Sequence, residues 1–87
     1  MERRLSDLIA GQGAIIKAVS GNESMRRRLI DLGFDTGATV LCLFYAPLND
    51  PCAYLVKGSV IALRKEDAYE IILQPTRDEE RRSRLWD

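Results

Sequence analysis

The stretch TVLCLFYAPLNDPCAYLVKGSVIAL, residues 39–63, decides the fold. Within it, residues 39–46 and 53–56 are apolar runs rich in the β-branched and aromatic side chains that strands favour. Two prolines frame the segment between these runs, and proline fixes the backbone angle φ and has no N–H to donate. Asn49 and Asp50, between the prolines, favour turn conformations. The pattern predicts two strands joined by a rigid turn.

The pair Lys57-Gly58 predicts a second, tighter hairpin turn. It leads into another apolar run at 59–63, and runs of the same kind occur at 14–19 and 71–73. About five short strands separated by tight turns are typical of a small β-barrel.

The first strand of the deciding stretch is apolar on both faces. Successive side chains of a strand point to opposite sides of the sheet, which here gives Val40, Cys42 and Phe44 on one side and Leu41, Leu43 and Tyr45 on the other. One side belongs to the core, so the other must be covered by a helix or a partner. Self-association is one interpretation of this pattern, because incompletely closed barrels also leave strand edges open.

A helix is predicted between Asn22, a good N-cap, and Gly33, a C-terminal stop. Its apolar face is expected to consist of three residues at helical spacing, namely Met25, Leu29 and Leu32. Near the N-terminus a short helical turn is predicted from Leu5, Leu8 and Ile9. We therefore expect a mainly β fold, a small barrel of about five strands with one inserted α-helix and a short N-terminal helical turn.

Length and charge limit what the chain can do. Its 87 residues fit one domain, which we place at 1–75, followed by a tail at 76–87 where arginines and acids alternate. Lys plus Arg number 13 and so do Asp plus Glu, so no overall field attracts nucleic acid or an anionic membrane. The longest apolar run, 40–48, is far shorter than the about 20 residues that cross a bilayer. We expect a cytoplasmic protein without membrane insertion.

The chain has no histidine and two cysteines, Cys42 and Cys52, without the paired spacing of a structural zinc site. Without histidine the usual Ser-His and Cys-His catalytic devices are excluded, and no phosphate-binding glycine motif is present. We expect no enzyme activity and no cofactor. In a reducing compartment both cysteines are predicted to be small core residues. The alternative is a small iron or zinc site, because the two thiols flank the proline-rich turn and could meet across a hairpin.

Several sequence blocks together resemble the FeoA family of ferrous iron transport proteins. The order and spacing match across residues 5–74, and the blocks are LSDL at 5–8, Gly11, RLIDLGF at 28–34, Gly37, Val40, APL at 46–48, DP at 50–51, Gly58 and IALR at 61–64. At one position the chain departs from the family pattern, because Asn49 stands where the family's turn usually has glycine. Asparagine is the next residue that tolerates positive φ.

The resemblance implies an SH3-like barrel. It also implies an accessory or regulatory protein of bacterial ferrous iron uptake that docks on FeoB, a membrane transporter with a GTP-binding domain, and modulates its GTP-dependent activity.

Within that interpretation we expect the partner to bind the hairpin at 45–54. Its Tyr45, Leu48 and Tyr54 are more apolar than an exposed turn requires, and Asn49 lies at the same tip. Three consecutive arginines, Arg26, Arg27 and Arg28, are expected to assist. Successive helical residues step about 100° around the axis, so the three cannot all face one partner and at least one should face solvent.

Overall fold

The computed structural model describes residues 2–45 and 50–76. The elements in chain order are β1 (Arg3–Arg4), a 3₁₀ turn (Leu5–Asp7), β2 (Gly13–Val19), α1 (Glu23–Asp31), β3 (Thr39–Tyr45), β4 (Cys52–Val56), β5 (Ser59–Leu63), α2 (Lys65–Ala68) and β6 (Ile71–Leu73). Every strand pairing is antiparallel, and the sheet order is β1-β6-β2-β3-β4-β5. The predicted mainly β architecture is confirmed.

Two elements differ from the prediction. The described strands number six because Arg3 and Arg4 pair with Leu73 and Ile72. A two-residue arginine strand carries no strand pattern of its own, so only its neighbour reveals it. The second helix, α2, has a single turn, which is too short to show a helical period.

The β4–β5 hairpin turns as predicted. Lys57 and Gly58 both have positive φ, 48° and 78°. Two such residues in succession form the type I′ turn, whose twist matches that of the strands it joins. Val56 and Ser59 lie opposite each other directly beside the turn, so the hairpin register is fixed from this end.

Helix α1 begins as predicted but buries fewer residues. The Asn22 side chain accepts a hydrogen bond from the Met25 N–H at 2.8 Å, and Leu29 is completely buried. Leu32 is 41% exposed, so its predicted place on the apolar face is wrong. The helix ends at Asp31, and Gly33, at φ 117°, reverses the chain.

The core collects apolar side chains from nearly every element. Leu5, the first residue of the 3₁₀ turn, and Leu8, just after it, are both buried, as the predicted N-terminal helical turn requires, whereas Ile9 is exposed. Phe34, just beyond α1, is completely buried. Its ring meets that of Tyr54 edge to face, with the centroids 6.5 Å apart, a geometry that aromatic pairs favour.

Candidate functional site

The outer side of the β3–β4–β5 sheet is apolar, and its Phe44, Val60 and Ala62 are exposed, whereas Leu41 and Leu55 are half-buried and Ala53 is buried. Strand pairing aligns its side chains in two rows across the three strands, Leu41, Leu55 and Val60 in one and Phe44, Ala53 and Ala62 in the other. We call these six residues the outer sheet face. Val60 is 61% exposed and Phe44 is 59% exposed. An apolar patch of this kind on a small domain is typical of a protein–protein contact.

A β-bulge in β3 creates half of this face. Cys42 lies opposite Tyr54 and Phe44 lies opposite Ala53, so one extra residue of β3 stands between the two pairs. The extra residue inverts the alternation. Phe44, which simple alternation placed inside with Cys42, therefore points outward. The simple alternation that groups Phe44 with Val40 and Cys42 is therefore broken at this bulge.

Tyr54 was expected on the surface of the hairpin, and this is wrong. It is 1% exposed and belongs to the core cluster, opposite Cys42 on the inner side of the sheet. Alternation along β4 sends Tyr54 inward together with Cys52 and Val56. A buried ring cannot contact a partner directly, so Tyr54 supports the hairpin from within.

Of the other predicted hairpin residues, the structure describes only the backbone of Tyr45. The backbone of Tyr45 ends β3 opposite Cys52. The Tyr45 side chain, Leu48 and Asn49 lie outside the described residues. Their role in docking stays a prediction.

The three arginines of α1 have different partners. Arg26 donates through Nε to the Val19 carbonyl at 3.1 Å, and Arg28 donates through Nη2 to an Asp67 carboxylate oxygen at 3.1 Å. Arg27, whose side chain is 76% exposed, pairs with Glu23 one helical turn away at 3.7 Å.

Arg26 and Arg28 therefore attach α1 to β2 and α2. The prediction that at least one arginine faces solvent is confirmed by Arg27. Among the described residues, none of the polar partners of these arginines lies on β3 or β4, so the structure does not join them to the hairpin in one network.

Cys42 and Cys52 are core residues, as predicted. Cys42 is completely buried and Cys52 is 6% exposed, and the two are not joined by a disulfide. Cys42 lies opposite Tyr54, whereas Cys52 lies opposite Tyr45, so the hairpin does not place the thiols directly across from each other. In residues 2–45 and 50–76, no three Cys, Asp or Glu side chains are grouped so as to hold a metal ion.

An ion pair braces the β4–β5 turn. The Lys57 ammonium group contacts a carboxylate oxygen of Asp35, and its hydrogen bond to that carboxylate lowers the pKa of Asp35 below its usual value. This contact ties the segment after α1 to the turn and neutralises the charge at that end of β5. In the described part of the chain, no helix has the length and apolar character needed to cross a bilayer.

Comparison with known proteins agrees with this architecture. The FeoA domain model matches residues 3–75. Over 68 residues the chain is 40% identical to a fusion protein of Fe(2+) transport protein A and the Fe(2+) transporter FeoB from Porphyromonas gingivalis. That match covers 78% of this chain and 8% of the fusion protein, so the chain corresponds to a small part of that relative.

Two solved structures share the fold. The FeoA protein of Chlorobium tepidum is 36% identical with a TM-score of 0.77, covering 83% of this chain and 69% of that one. The FeoA of Stenotrophomonas maltophilia, an SH3 domain protein solved with zinc, is 28% identical with a TM-score of 0.73, covering 83% of this chain and 89% of that one. The predicted SH3-like fold is confirmed. With its family model matched from residue 3 to residue 75, the chain belongs to the FeoA family, which is linked to ferrous iron transport.

Proposed function

We propose that this chain is an accessory protein of ferrous iron uptake that docks on the cytoplasmic part of a FeoB-type transporter and modulates its GTP-dependent activity. The observation that supports this most is the fusion relative, in which a homologous domain and FeoB are parts of one polypeptide. Joining two domains by a flexible linker raises their effective concentration, to about millimolar when the linker is short, so a weak and reversible contact between them is sufficient. This chain would make the same contact with a FeoB-type transporter.

The docking surface that we propose is the end of the β3–β4 hairpin. Its predicted contacts are Tyr45, Leu48 and Asn49, and Phe44, which precedes Tyr45 in the sequence, adds an exposed apolar side chain on the outer sheet face. A turn framed by two prolines loses little entropy when it presents Leu48 to a partner. Burying a leucine of that size contributes about 1.5 to 3 kcal/mol. Tyr54 is not part of this surface because it is buried.

Of the three arginines, Arg27 suits a docking role best. Its only described ion-pair partner is the exposed Glu23, and an exposed pair of this kind contributes little to stability. Arg26 and Arg28 already bond to the barrel. The positive charge of the three arginines would mainly speed the encounter with an acidic partner, and added salt would reduce this effect.

Calorimetric titration of the chain against the cytoplasmic part of the FeoB-type transporter from the same organism tests the proposal, with GDP and with a non-hydrolysable GTP analogue. We expect saturable binding and a changed rate of GTP hydrolysis. Leu48→Ala should weaken binding tenfold or more, equivalent to about 1.4 kcal/mol. Leu32→Ala is the matched control, because Leu32 is a partly exposed leucine at the end of α1.

Two results would contradict the proposal. Absence of binding at high micromolar concentration in both nucleotide states would show that the chain does not dock on the transporter. Normal binding by folded Leu48→Ala would leave the function in place and show that the hairpin end is not the contact surface.

A further inference from the structure

The two edges of the described sheet differ in length and in charge. One edge is β1, only two residues long and made of Arg3 and Arg4. The other edge is β5, five residues long, with the sequence SVIAL. Proteins protect long edge strands from pairing with other chains by means of charge, proline or brevity. Strand β5 has none of these protections.

The β4–β5 register identifies the backbone groups that face the open side. In the two-residue turn, the Val56 carbonyl accepts from the Ser59 N–H. Alternation then directs the N–H and C=O groups of Ser59, Ile61 and Leu63 toward β4. The N–H and C=O groups of Val60 and Ala62 point away from β4. They form a hydrogen-bonding ladder for one further strand.

The side chains beside this ladder are apolar on the outer sheet face. Val60 is 61% exposed, and Ala62 is also exposed. Each continues one of the two apolar rows that cross from β3 through β4. A strand added next to β5 would place alternate side chains beside Val60 and Ala62, so apolar residues at those positions would extend the rows.

Charge at the two ends of β5 indicates which chain fits there. At the turn end, Lys57 is paired with Asp35. At the other end Arg64 and Lys65 are exposed, and their side chains have no ion-pair partner among residues 2–45 and 50–76. Glu66 follows in the first turn of α2. The Asp50 carboxylate accepts a hydrogen bond from the Lys65 backbone N–H at 2.9 Å, but in the described part of the chain it forms no ion pair with the Arg64 or Lys65 side chain, so these two side chains suit a further carboxylate.

A second copy of this chain fits the edge poorly. Antiparallel pairing of two β5 strands about a two-fold axis at Ile61 places Ser59 opposite Leu63. Beyond the ends of the two paired strands, the Lys57-Gly58 turn of one copy would lie near Arg64 and Lys65 of the other. Because the Lys57 charge is already paired with Asp35, a second copy offers no free carboxylate to Arg64 and Lys65 at this end, and a partner segment that carries one fits better.

We propose that β5 is a strand-addition site that takes an extended segment of a protein partner, with alternating apolar side chains and an acidic residue next to Arg64 and Lys65. Main-chain hydrogen bonds supply affinity in this mode of recognition, and the side-chain positions supply specificity. Identifying the segment as part of the transporter rests on the proposed function. The site itself rests on the open ladder, the apolar rows and the charged end.

Amide hydrogen exchange measured by NMR tests the ladder directly. In the free chain, the amides of Val60 and Ala62 should exchange much faster than the amide of Ile61, which bonds to β4. Saturation with the cytoplasmic part of the FeoB-type transporter should slow exchange tenfold or more at both Val60 and Ala62. The Ile61 amide is the internal control, because it is already protected.

Substitutions test the side-chain requirements. Val60→Lys should weaken transporter binding tenfold or more, whereas Val60→Thr, which keeps an uncharged β-branched residue, should bind within about threefold of the wild type. Ile9→Lys is the control for position, since Ile9 is 58% exposed outside the sheet. Arg64→Glu should weaken binding more at low salt than at high salt, and by more than Arg27→Glu on α1.

The outcomes separate this inference from the function on which it rests. If a complex forms but exchange at Val60 and Ala62 is unchanged and Val60→Lys binds normally, strand addition is wrong and docking stands. If no complex forms at all, docking is wrong, and the identification of the partner segment is wrong with it. If protection at Val60 and Ala62 instead rises with the chain's own concentration, the edge pairs with a second copy, and a separate partner is wrong.

Discussion

At the scale of single residues, the Asp35–Lys57 pair makes stability depend on pH. The hydrogen bond from Lys57 lowers the pKa of Asp35 from its usual 3.8 in the folded chain. A carboxylate with a depressed folded pKa contributes stability that is present above its unfolded pKa and is lost as the pH falls through the folded pKa. The contribution is therefore complete at neutral pH, begins to fall below about pH 4, and is lost as the pH falls through the lower folded pKa.

Asp35→Asn should accordingly be less stable than the wild type at pH 7, and the difference should shrink at about pH 3. Urea unfolding at the two pH values measures this change. Lys57→Asn removes the amine while keeping a residue that tolerates positive φ. It should remove the same pH-dependent part of the unfolding free energy. An equal loss of stability in Asp35→Asn at both pH values would show that the pair does not act through its charge.

At the scale of elements, the N-terminus of α1 depends on one side chain. The Asn22 carboxamide oxygen accepts the hydrogen bond of the Met25 N–H, which has no partner within the helix. Asn22→Ala should cost about 1 kcal/mol of unfolding free energy. Asn22→Asp keeps an acceptor at the same position and adds a charge that the helix dipole favours, so it should remain close to the wild type. Chemical unfolding of the three proteins decides whether the cap contributes this much.

The elements also show where local sequence patterns succeed. The Asn22 cap, the Gly33 stop and the Lys57-Gly58 turn were all predictable, because each depends on the conformational preference of the residue itself. The bulge in β3 was not, because it is defined by the pairing of β3 with β4 and not by a residue type. The outward direction of Phe44, and with it half of the outer sheet face, followed from that pairing alone.

At the scale of the whole molecule, the segment around the 3₁₀ turn contributes two leucines to the core. Leu5 and Leu8 are both buried, while the neighbouring Ile9 is 58% exposed. Leu8→Ala should cost about 2 to 5 kcal/mol, since it removes buried methyl groups and leaves a cavity. Ile9→Ala should change stability by less than about 0.5 kcal/mol. Thermal and chemical unfolding of both variants compare them, and equal effects would show that the chain's N-terminal segment does not seal the core.

The overall fold could be predicted because five of its strands carry their own apolar runs and turns. The features that the sequence did not predict depend on contacts between distant segments. Tyr54 looked like a surface aromatic beside a turn, but its partner in the core is Phe34, twenty residues earlier in the chain. The sequence did not predict that the outer sheet face is a single surface, because its six residues come from three strands.

The unequal edges of the sheet also limit how large an assembly can become. Arg4 at the β1 edge stacks on Tyr69 with its guanidinium carbon 4.6 Å from the ring centre, and it donates to the Tyr69 carbonyl. That edge is short and charged, so it resists further pairing. A guest strand on β5 therefore occupies the one long uncharged edge of the described sheet. Growth stops there, which favours a finite one-to-one stoichiometry over a fibre built by repeated strand addition.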